Sequence, residues 1–234
     1  MSLSGKIVLI TGGTGALGSV VSQRMVREKA SVGISFRSEQ ELSGLPPETK
    51  ESVTALKTDV TNEQSVQKLF EAMIQKYKRI DILINTVGGF VPSKHLEEVS
   101  LQEWDLMMNL NLRTSFLCTR EALRRMKGQA YGRIVNISAM AGIFPTTGRA
   151  AYAVSKAGVS LMTDIVGREY KGTGITVNAI APSIIATRAN KASMPNEDFA
   201  KWVTPESIAD IICYLCSEPA GSITGTTIRA SAGL

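Results

Sequence analysis

Histidine and cysteine are scarce in this chain of 234 residues, which contains one histidine and three cysteines. Cys213 and Cys216 have the spacing of a redox or metal-binding pair, but no second pair and no nearby histidine completes such a site. Both fall in an amphipathic helical stretch, so we expect them to pack in the core. His95 has no partner that would make it a metal ligand or a catalytic base, and we expect no metal site.

Long apolar runs and blocks of like charge are also missing. No window of about 18 uninterrupted apolar residues occurs, so we expect no membrane-spanning helix. The formal net charge is +5, but lysine and arginine are scattered, which argues against a nucleic-acid partner. The first apolar run begins at Ile7 and leaves no room for a signal peptide, so the expected location is the cytoplasm.

Strand-like and helix-like segments alternate along the whole chain. The predicted strands are residues 7–11, 31–36, 53–59, 80–85, 133–138, 175–181 and 226–230. Strands that are apolar along their whole length are buried on both faces, as in a parallel sheet whose helices form right-handed crossovers. The pattern predicts a doubly wound α/β fold (a Rossmann fold) with a parallel sheet, in a single domain over residues 1–234.

Two capping boxes mark the starts of predicted helices. Thr61 with Gln64 opens one helix, and Ser100 with Glu103 opens a long helix that runs towards Lys127.

The helix predicted over residues 150–170 is apolar on almost every side, and one sheet covers only part of such a helix. The long helix from Ser100 adds further apolar side chains, including Trp104 and Phe116. Exposed together, they would exceed the apolar patches usual for monomers, whereas pairing across a two-fold axis would bury them. We therefore expect a homodimer or a homotetramer; the alternative is cover from the chain's own loops.

A glycine-rich turn follows the first predicted strand and precedes a helix. Gly12, Gly15 and Gly18 are spaced so that the backbone can turn sharply and approach a pyrophosphate. The helix N-terminus supplies N–H groups and a partial positive charge to such an anion. A P-loop is excluded because no Gly-Lys-Ser/Thr follows. The turn predicts a dinucleotide site.

The end of the second predicted strand bears on the choice of cofactor. An NAD site usually has an acid there for the ribose hydroxyl, but this chain has Phe36, Arg37 and Ser38. The guanidinium of Arg37 is suited to charge-assisted bonds with a 2′-phosphate, which favours NADP over NAD. The alternative is a solvated surface arginine.

Tyr152 and Lys156 lie four residues apart on one predicted helix and so share a face. A free tyrosine titrates near ~10, and a neighbouring lysine favours the phenolate and lowers that pKa. The pair is a candidate proton donor for a carbonyl that receives a hydride.

Five segments occur in the order found in the short-chain dehydrogenases/reductases, and the chain resembles that family over its whole length. They are residues 11–18, residues 85–88, Asn111, residues 152–156 and residues 182–187. The resemblance implies NAD(P)(H) binding, a seven-stranded parallel sheet and frequent dimers or tetramers. It implies that Tyr152 is the acid/base, that Lys156 lowers its pKa and holds the nicotinamide ribose, and that Asn111 holds a proton-relay water.

The same resemblance implies the residues that contact the cofactor, with Asp59 and Val60 beside the adenine and Ile185 and Thr187 beside the carboxamide. The full set is Gly12, Thr14, Gly15, Leu17, Gly18, Arg37, Asp59, Val60, Asn85, Val87, Gly88, Tyr152, Lys156, Pro182, Ile185 and Thr187.

One departure from the family concerns its catalytic serine, whose position holds Ala139 in this chain. Ser138 is adjacent, but neighbours on a strand point to opposite faces, so we expect Ser138 to face away from the substrate unless the strand end is bulged. The missing serine argues against ordinary ketone reduction or alcohol oxidation.

Within the family, the dihydropteridine reductases also lack that serine, and the chain resembles them in residues 87–90 and 191–202. This resemblance implies NAD(P)H-dependent hydride transfer to a small carbonyl or a quinonoid dihydropterin-like substrate. The alternatives are a reductase of 3-oxoacyl thioesters or other ketones, with Ser138 or a water in the serine's role, and a dinucleotide-binding sensor without catalysis.

Overall fold

The computed structural model describes residues 2–232, and in that part of the chain seven strands form one parallel sheet. The strands are β1 (Ile7–Thr11), β2 (Ser31–Phe36), β3 (Val53–Lys57), β4 (Ile82–Asn85), β5 (Gly132–Ile137), β6 (Ile175–Pro182) and β7 (Thr227–Ala230). Their order across the sheet is β3-β2-β1-β4-β5-β6-β7. The predicted doubly wound α/β fold in one domain is confirmed.

Helices connect the strands and cover both faces of the sheet. They are α1 (Ala16–Arg27), α2 (Glu39–Ser43), α3 (Pro47–Ser52), α4 (Glu63–Tyr77), α5 (Leu101–Met107), α6 (Thr114–Met126), α7 (Ala150–Glu169), α8 (Arg188–Ser193) and α9 (Pro205–Leu215). A π-helical segment, Met108–Arg113, joins α5 to α6. None of the helices described has the combination of length and apolar character that crossing a bilayer requires.

Successive residues of each central strand enter two apolar cores, one on each face of the sheet. Val8 packs in the core under α1 and α9, and its neighbour Leu9 packs in the core under α4 and α6. This two-sided burial explains why the strands read as continuous apolar runs. Cys213 and Cys216 are buried in the first core, as predicted, and Cys118 is buried in the second.

The start of α4 differs from the predicted capping box of Thr61 and Gln64. Asn62 is the N-cap, and its side-chain oxygen accepts the N–H of Ser65 at 2.9 Å. The Thr61 hydroxyl instead donates to the carboxylate of Asp59 at 2.7 Å. The predicted box is wrong because Thr61 is drawn into the turn after β3, a strand that ends earlier than expected.

The long helix predicted from Ser100 towards Lys127 is present as α5, the π-helical segment and α6, with Lys127 at its C-cap. The capping box of Ser100 and Glu103 is confirmed. The sequence did not predict the π-helical segment, which contains Asn111. Such wide turns re-aim side chains and are frequent at functional sites.

The carboxyl ends of all seven strands lie along one edge of the sheet, because the strands are parallel. β1 and β4 are neighbours although β2 and β3 come between them in the chain, so the topological switch point lies between β1 and β4. Ligands of doubly wound folds bind outside the carboxyl edge at such a point. The functional site is therefore expected among the loops after β1, β2, β4, β5 and β6.

Candidate active site

The glycine-rich turn packs closely between β1, β2 and the start of α1. A Cβ on Gly18 would overlap the carbonyl oxygen of Gly12, and a Cβ on Gly13 would lie 2.6 Å from the side chain of Ile34. Ser35 at the end of β2 also holds the turn, since its hydroxyl accepts the N–H of Gly12 at 3.0 Å. Glycine is required here because the backbones approach each other without room for side chains.

The N-terminus of α1 has the features of an anion site. Gly15 is its N-cap, no side chain caps it, and its first turn contains no acid. The side chain of Leu17 is buried in the core, so Leu17 offers its backbone N–H to this region. A close backbone turn with uncapped N–H groups fits the pyrophosphate of a dinucleotide.

An acid on α2, Glu41, lies beside the end of β2, and the sequence analysis missed it. The Glu41 carboxylate accepts the backbone N–H of Arg37 at 3.2 Å and the hydroxyl of Thr14 at 3.4 Å. The Arg37 side chain is 80% exposed, and its Nε lies 3.9 Å from Glu41 Oε1. The missed signal was the cap spacing of Ser38 and Glu41: Ser38 is the N-cap of α2 and accepts the N–H of Glu41 at 3.4 Å.

The residues expected beside the adenine follow β3. Asp59 is exposed, and its carboxylate accepts both the N–H and the hydroxyl of Thr61. Val60 is 5% exposed and packs in the core. The Asp59 carboxylate is thus held in the turn, and the Val60 side chain is largely covered.

Asn85 belongs to a buried polar network across the sheet. Its amide accepts from Thr11 at 3.2 Å and donates to Asn136 at 2.8 Å and to Thr119 at 3.3 Å. Asn136 in turn donates to Thr163 of α7 at 3.0 Å. Protein partners thus occupy the Asn85 side chain, which ties β1, β4 and β5 to the helices above them.

The loop after β4 lies between the glycine-rich turn and α7. Thr86 donates its hydroxyl to the carbonyl of Thr11 at 2.7 Å, and the side chain of Val87 lies close to Gly12. A Cβ on Gly88 would lie 2.9 Å from Asn111 Oδ1 and 3.1 Å from Lys156 Nζ. Gly88 therefore permits two candidate catalytic residues to approach the loop, although the three are distant in the sequence.

Asn111 clamps this loop from the π-helical segment. Its amide accepts the N–H of Gly89 at 2.9 Å and donates to the Gly89 carbonyl at 3.1 Å. It also donates to the hydroxyl of Ser155 at 3.1 Å, and Asn111 is fully buried. The side chain makes these protein contacts at the position where the resemblance implied a proton-relay water. Sequence analysis did not single out Ser155.

Tyr152 and Lys156 lie on the first turns of α7, as expected. Lys156 Nζ donates to the carbonyl of Ile137 at 2.8 Å, and burial lowers the pKa of Lys156 to about 8. The Tyr152 ring meets Phe90 edge-on, with centroids 5.2 Å apart. Burial raises the pKa of Tyr152, and the charge of Arg149 acts in the opposite sense.

The role of Lys156 in lowering the pKa of Tyr152 stays a prediction, because burial and the charge of Arg149 are the influences that act on Tyr152 in this structure. The ammonium group is directed at the Ile137 carbonyl, and burial is the dominant influence on both side chains. Arg149 is the cation that lowers the pKa of Tyr152. Arg149 precedes α7 as its N-cap residue and lies over the Phe90 ring at 5.3 Å, a contact that no local pattern indicates.

Ser138 faces away from the active-site cleft, which lies at the carboxyl edge of the sheet beside Tyr152, as strand alternation predicted. Its hydroxyl donates to the carbonyl of Lys156 at 2.9 Å and lies 2.7 Å from the hydroxyl of Ser160. Ala139 is extended, with φ −158° and ψ 155°. Because the Ser138 hydroxyl is hydrogen-bonded to α7, the alternative in which Ser138 replaces the missing serine is wrong.

The residues after β6 form a tight turn before α8. Pro182 is the last residue of β6, and Ile185 forms an isolated bridge with Val203. The Thr187 hydroxyl caps α8 by accepting the N–H of Asn190 at 3.1 Å. The turn places Ile185 and Thr187 beyond the carboxyl edge of the sheet.

A parallel sheet with an uncapped glycine turn at its switch point defines a dinucleotide-binding α/β protein. Tyr152 and Lys156 at the same edge add a candidate group for proton transfer. Residues 6–198 match the family model described as short chain dehydrogenase. The chain belongs to this family and is an oxidoreductase.

Curated relatives cover the whole chain. The 3-oxoacyl-(acyl-carrier-protein) reductase FabG of Thermotoga maritima is 32% identical over 245 residues, which cover 100% of this chain and 99% of that protein. The protein of the same name from Aquifex aeolicus is 30% identical over 249 residues, with coverage of 100% and 99%. These names favour the 3-oxoacyl alternative, and they do not support the resemblance to the dihydropteridine reductases specifically.

Solved structures agree with the fold. A short-chain type dehydrogenase/reductase from Mycobacterium ulcerans superposes with a TM-score of 0.94 at 24% identity, covering 100% of this chain and 90% of that one. The family and its structures are dehydrogenases and reductases, which leaves the non-catalytic sensor without support.

Proposed function

We propose that the protein is an NADPH-dependent reductase of a 3-oxoacyl thioester or a closely related small ketone. The observation that carries this proposal is the identity of 32% over the whole chain to an enzyme with that name. The meeting of Tyr152, Lys156 and the Gly88 loop at the carboxyl edge supports the reaction type.

Tyr152 is the proposed proton donor. The Tyr152 hydroxyl would give its proton to the carbonyl oxygen, and a nicotinamide dinucleotide held at the glycine-rich turn would supply the hydride for the carbonyl carbon, so that a ketone becomes an alcohol. Because burial raises the pKa of Tyr152, the phenol is protonated near neutral pH and has a proton to donate. Lys156 Nζ uses one N–H on the Ile137 carbonyl, so its other donors remain for a ribose hydroxyl.

The preference for NADPH rests on Arg37. Its guanidinium is exposed at the end of β2, where a dinucleotide's adenosine ribose is read. An exposed guanidinium can turn towards a 2′-phosphate and form charge-assisted hydrogen bonds.

A second candidate is a quinonoid dihydropterin, and Ala139 is the observation that favours it. Ala139 has no hydroxyl, and the hydroxyl of Ser138 is already hydrogen-bonded to α7. Neither residue can therefore donate a hydrogen bond to an alkoxide. The edge-on pair of Phe90 and Tyr152 offers an aromatic wall to a flat ring.

A panel assay separates these candidates. The absorbance of NADPH is followed with acetoacetyl thioesters, quinonoid dihydropterin and simple ketones, each with the unmutated protein and with Tyr152→Phe as a blank. Fastest Tyr152-dependent turnover with the thioester supports the proposal. Turnover confined to the pterin would replace it with the second candidate.

Self-association is proposed on the outward apolar faces of α6 and α7. Leu161 is 62% exposed, Ile165 is 47% exposed and Phe116 is 43% exposed. Met108, Leu112, Phe116 and Met162 line an apolar cleft on this surface. An isologous contact would cover the same patch on both subunits.

The cytoplasmic location stays a prediction.

A further inference from the structure

The Glu41 carboxylate lies where the family's cofactor choice is read, although Glu41 belongs to α2 and not to β2. Its Oε2 accepts from Thr14 of the glycine-rich turn and from the backbone of Arg37. Glu41 is thus hydrogen-bonded to both Thr14 and Arg37, two residues that are expected to contact the cofactor. Its side chain is 38% exposed, so it is accessible to a ligand at this edge.

We infer that Glu41 is a selectivity residue for the adenosine end of the cofactor and limits the preference for NADPH over NADH. The inference rests on the proposed dinucleotide site and deepens it. A carboxylate accepts hydrogen bonds from a 2′-hydroxyl, as an acid at the end of the second strand does in NAD sites. The same carboxylate repels a 2′-phosphate, which carries a charge of about −1.5 to −2 at neutral pH.

Arg37 and Glu41 have opposite effects at one position. Arg37 Nε is 3.9 Å from Glu41 Oε1, so the guanidinium is within reach of either the Glu41 carboxylate or a phosphate beside it. A 2′-phosphate must therefore compete with Glu41 for Arg37. The repulsion is partly screened because the groups face solvent, and an effect of about tenfold in relative affinity is expected.

Glu39 offers a matched control. It lies on the same short helix and is exposed, and its carboxylate has no hydrogen bond to the glycine-rich turn among the residues that the structure describes. Glu39→Gln removes the same charge from the same region and leaves the contacts of Glu41 in place. It reports the effect of net charge alone.

The test measures binding by calorimetry, with no substrate and no turnover. Dissociation constants for NADPH, NADH, adenosine 2′,5′-bisphosphate and 5′-AMP are determined for the unmutated protein, Glu41→Gln, Glu39→Gln and Arg37→Ala. For Glu41→Gln we expect about tenfold greater preference for NADPH over NADH and for the bisphosphate over 5′-AMP. Glu39→Gln should change either ratio less than about twofold, and Arg37→Ala should lower both.

Unchanged ratios in Glu41→Gln, or a change no larger than that of Glu39→Gln, would overturn the inference while leaving the dinucleotide site intact. Equal weakening of both cofactors would overturn it too, because that result means that Glu41 only braces the turn. If the folded, unmutated protein binds neither cofactor, the proposed function fails along with the inference.

Discussion

Burial favours the uncharged form of both candidate catalytic side chains. It raises the pKa of Tyr152 and lowers the pKa of Lys156 to about 8. The phenol therefore stays protonated at neutral pH, and the lysine loses its charge progressively as the pH rises through 8. Near neutral pH the Tyr152 hydroxyl therefore has a proton to donate, although burial also makes it a weaker acid than a free phenol.

Tyr152→Phe should abolish turnover while leaving NADPH affinity nearly unchanged. The substitution removes only the phenolic hydroxyl and keeps the ring that packs against Phe90. General acid catalysis contributes about 10²–10⁴-fold, so the rate should fall by at least about a hundredfold. Steady-state rates and calorimetric affinity measure the two effects. A variant that keeps a tenth of the activity would exclude Tyr152 as the acid.

Arg149→Gln should move the pH dependence of the reverse reaction, alcohol oxidation, to higher pH. Oxidation needs the phenolate, and Arg149 lowers the pKa of Tyr152 against the larger effect of burial. Without that charge the pKa of Tyr152 rises further, so the rising limb of kcat/KM should begin at higher pH. Arg188→Gln, on α8, controls for loss of a positive charge. An unmoved limb would contradict this role for Arg149.

Ala139→Ser should increase the reduction of simple ketones. Ala139 follows the committed Ser138 on an extended backbone, so a hydroxyl there would face the opposite side, towards the cleft. A donor to a developing oxyanion is worth about 10²–10³-fold where it is native, and a gain of about tenfold is a conservative expectation for an introduced one. Ala141→Ser is the control. Equal rates in all three proteins would show that the missing serine does not limit ketone reduction.

At the scale of elements, helix ends and one wide helical turn position the site. The uncapped start of α1 faces the carboxyl edge, and α2 begins at a Ser38 cap that carries Glu41 towards Thr14. The π-helical segment aims Asn111 at the loop after β4. These elements hold the loops at the carboxyl edge through hydrogen bonds from neighbouring helices.

Gly18→Ala should weaken dinucleotide binding by tenfold or more. Its Cβ would overlap the Gly12 carbonyl, so either the turn or the start of α1 must move. The uncapped N–H groups would then no longer converge on one pyrophosphate. Calorimetry with NADPH measures the loss. Gly221→Ala is the control, since Gly221 lies outside the turn, in the short 3₁₀ helix Glu218–Ser222, and a Cβ there would meet only the end of the Arg133 side chain, at 3.3 Å. Equal affinities for both variants would argue against the proposed site.

At the scale of the whole molecule, α7 carries both the candidate catalytic residues and an exposed apolar face. Its first turns carry Tyr152 and Lys156, and further along the helix Leu161 and Ile165 point to solvent. Covering this face with a second subunit would also restrain the catalytic end of the helix. Assembly and activity are therefore expected to be lost together.

Leu161→Arg should convert a dimer or tetramer into monomers and lower activity. An arginine in an isologous patch meets its own copy across the two-fold axis, so each interface buries two charges without partners. Light scattering after size exclusion gives the mass, and the panel assay gives the activity. Leu96→Arg, at an exposed leucine outside α6 and α7, is the control. An active unmutated monomer at micromolar concentration would refute the proposed assembly.

Local patterns in the sequence were sufficient for most of the fold. Strands β1 and β2 have the predicted ends, and the Ser100 capping box is read from two side chains three residues apart. Strand alternation correctly placed Ser138 on the side away from the cleft. Each of these features depends on residues that are close together in the chain, so the spacing of residue types in the sequence is enough to predict it.

Only the tertiary structure decided which distant groups meet. The approach of Glu41 to Thr14, the clamp of Asn111 on Gly89 and the contact of Arg149 with Phe90 each join separate segments of the chain. The pKa of Tyr152 depends on the same packing, because burial and charge act through space. The sequence by itself determined the strands, the glycine-rich turn and the family motifs through local sterics and periodicity. The electrostatics of the site were decided by how the sheet and α7 pack, which sequence spacing does not encode.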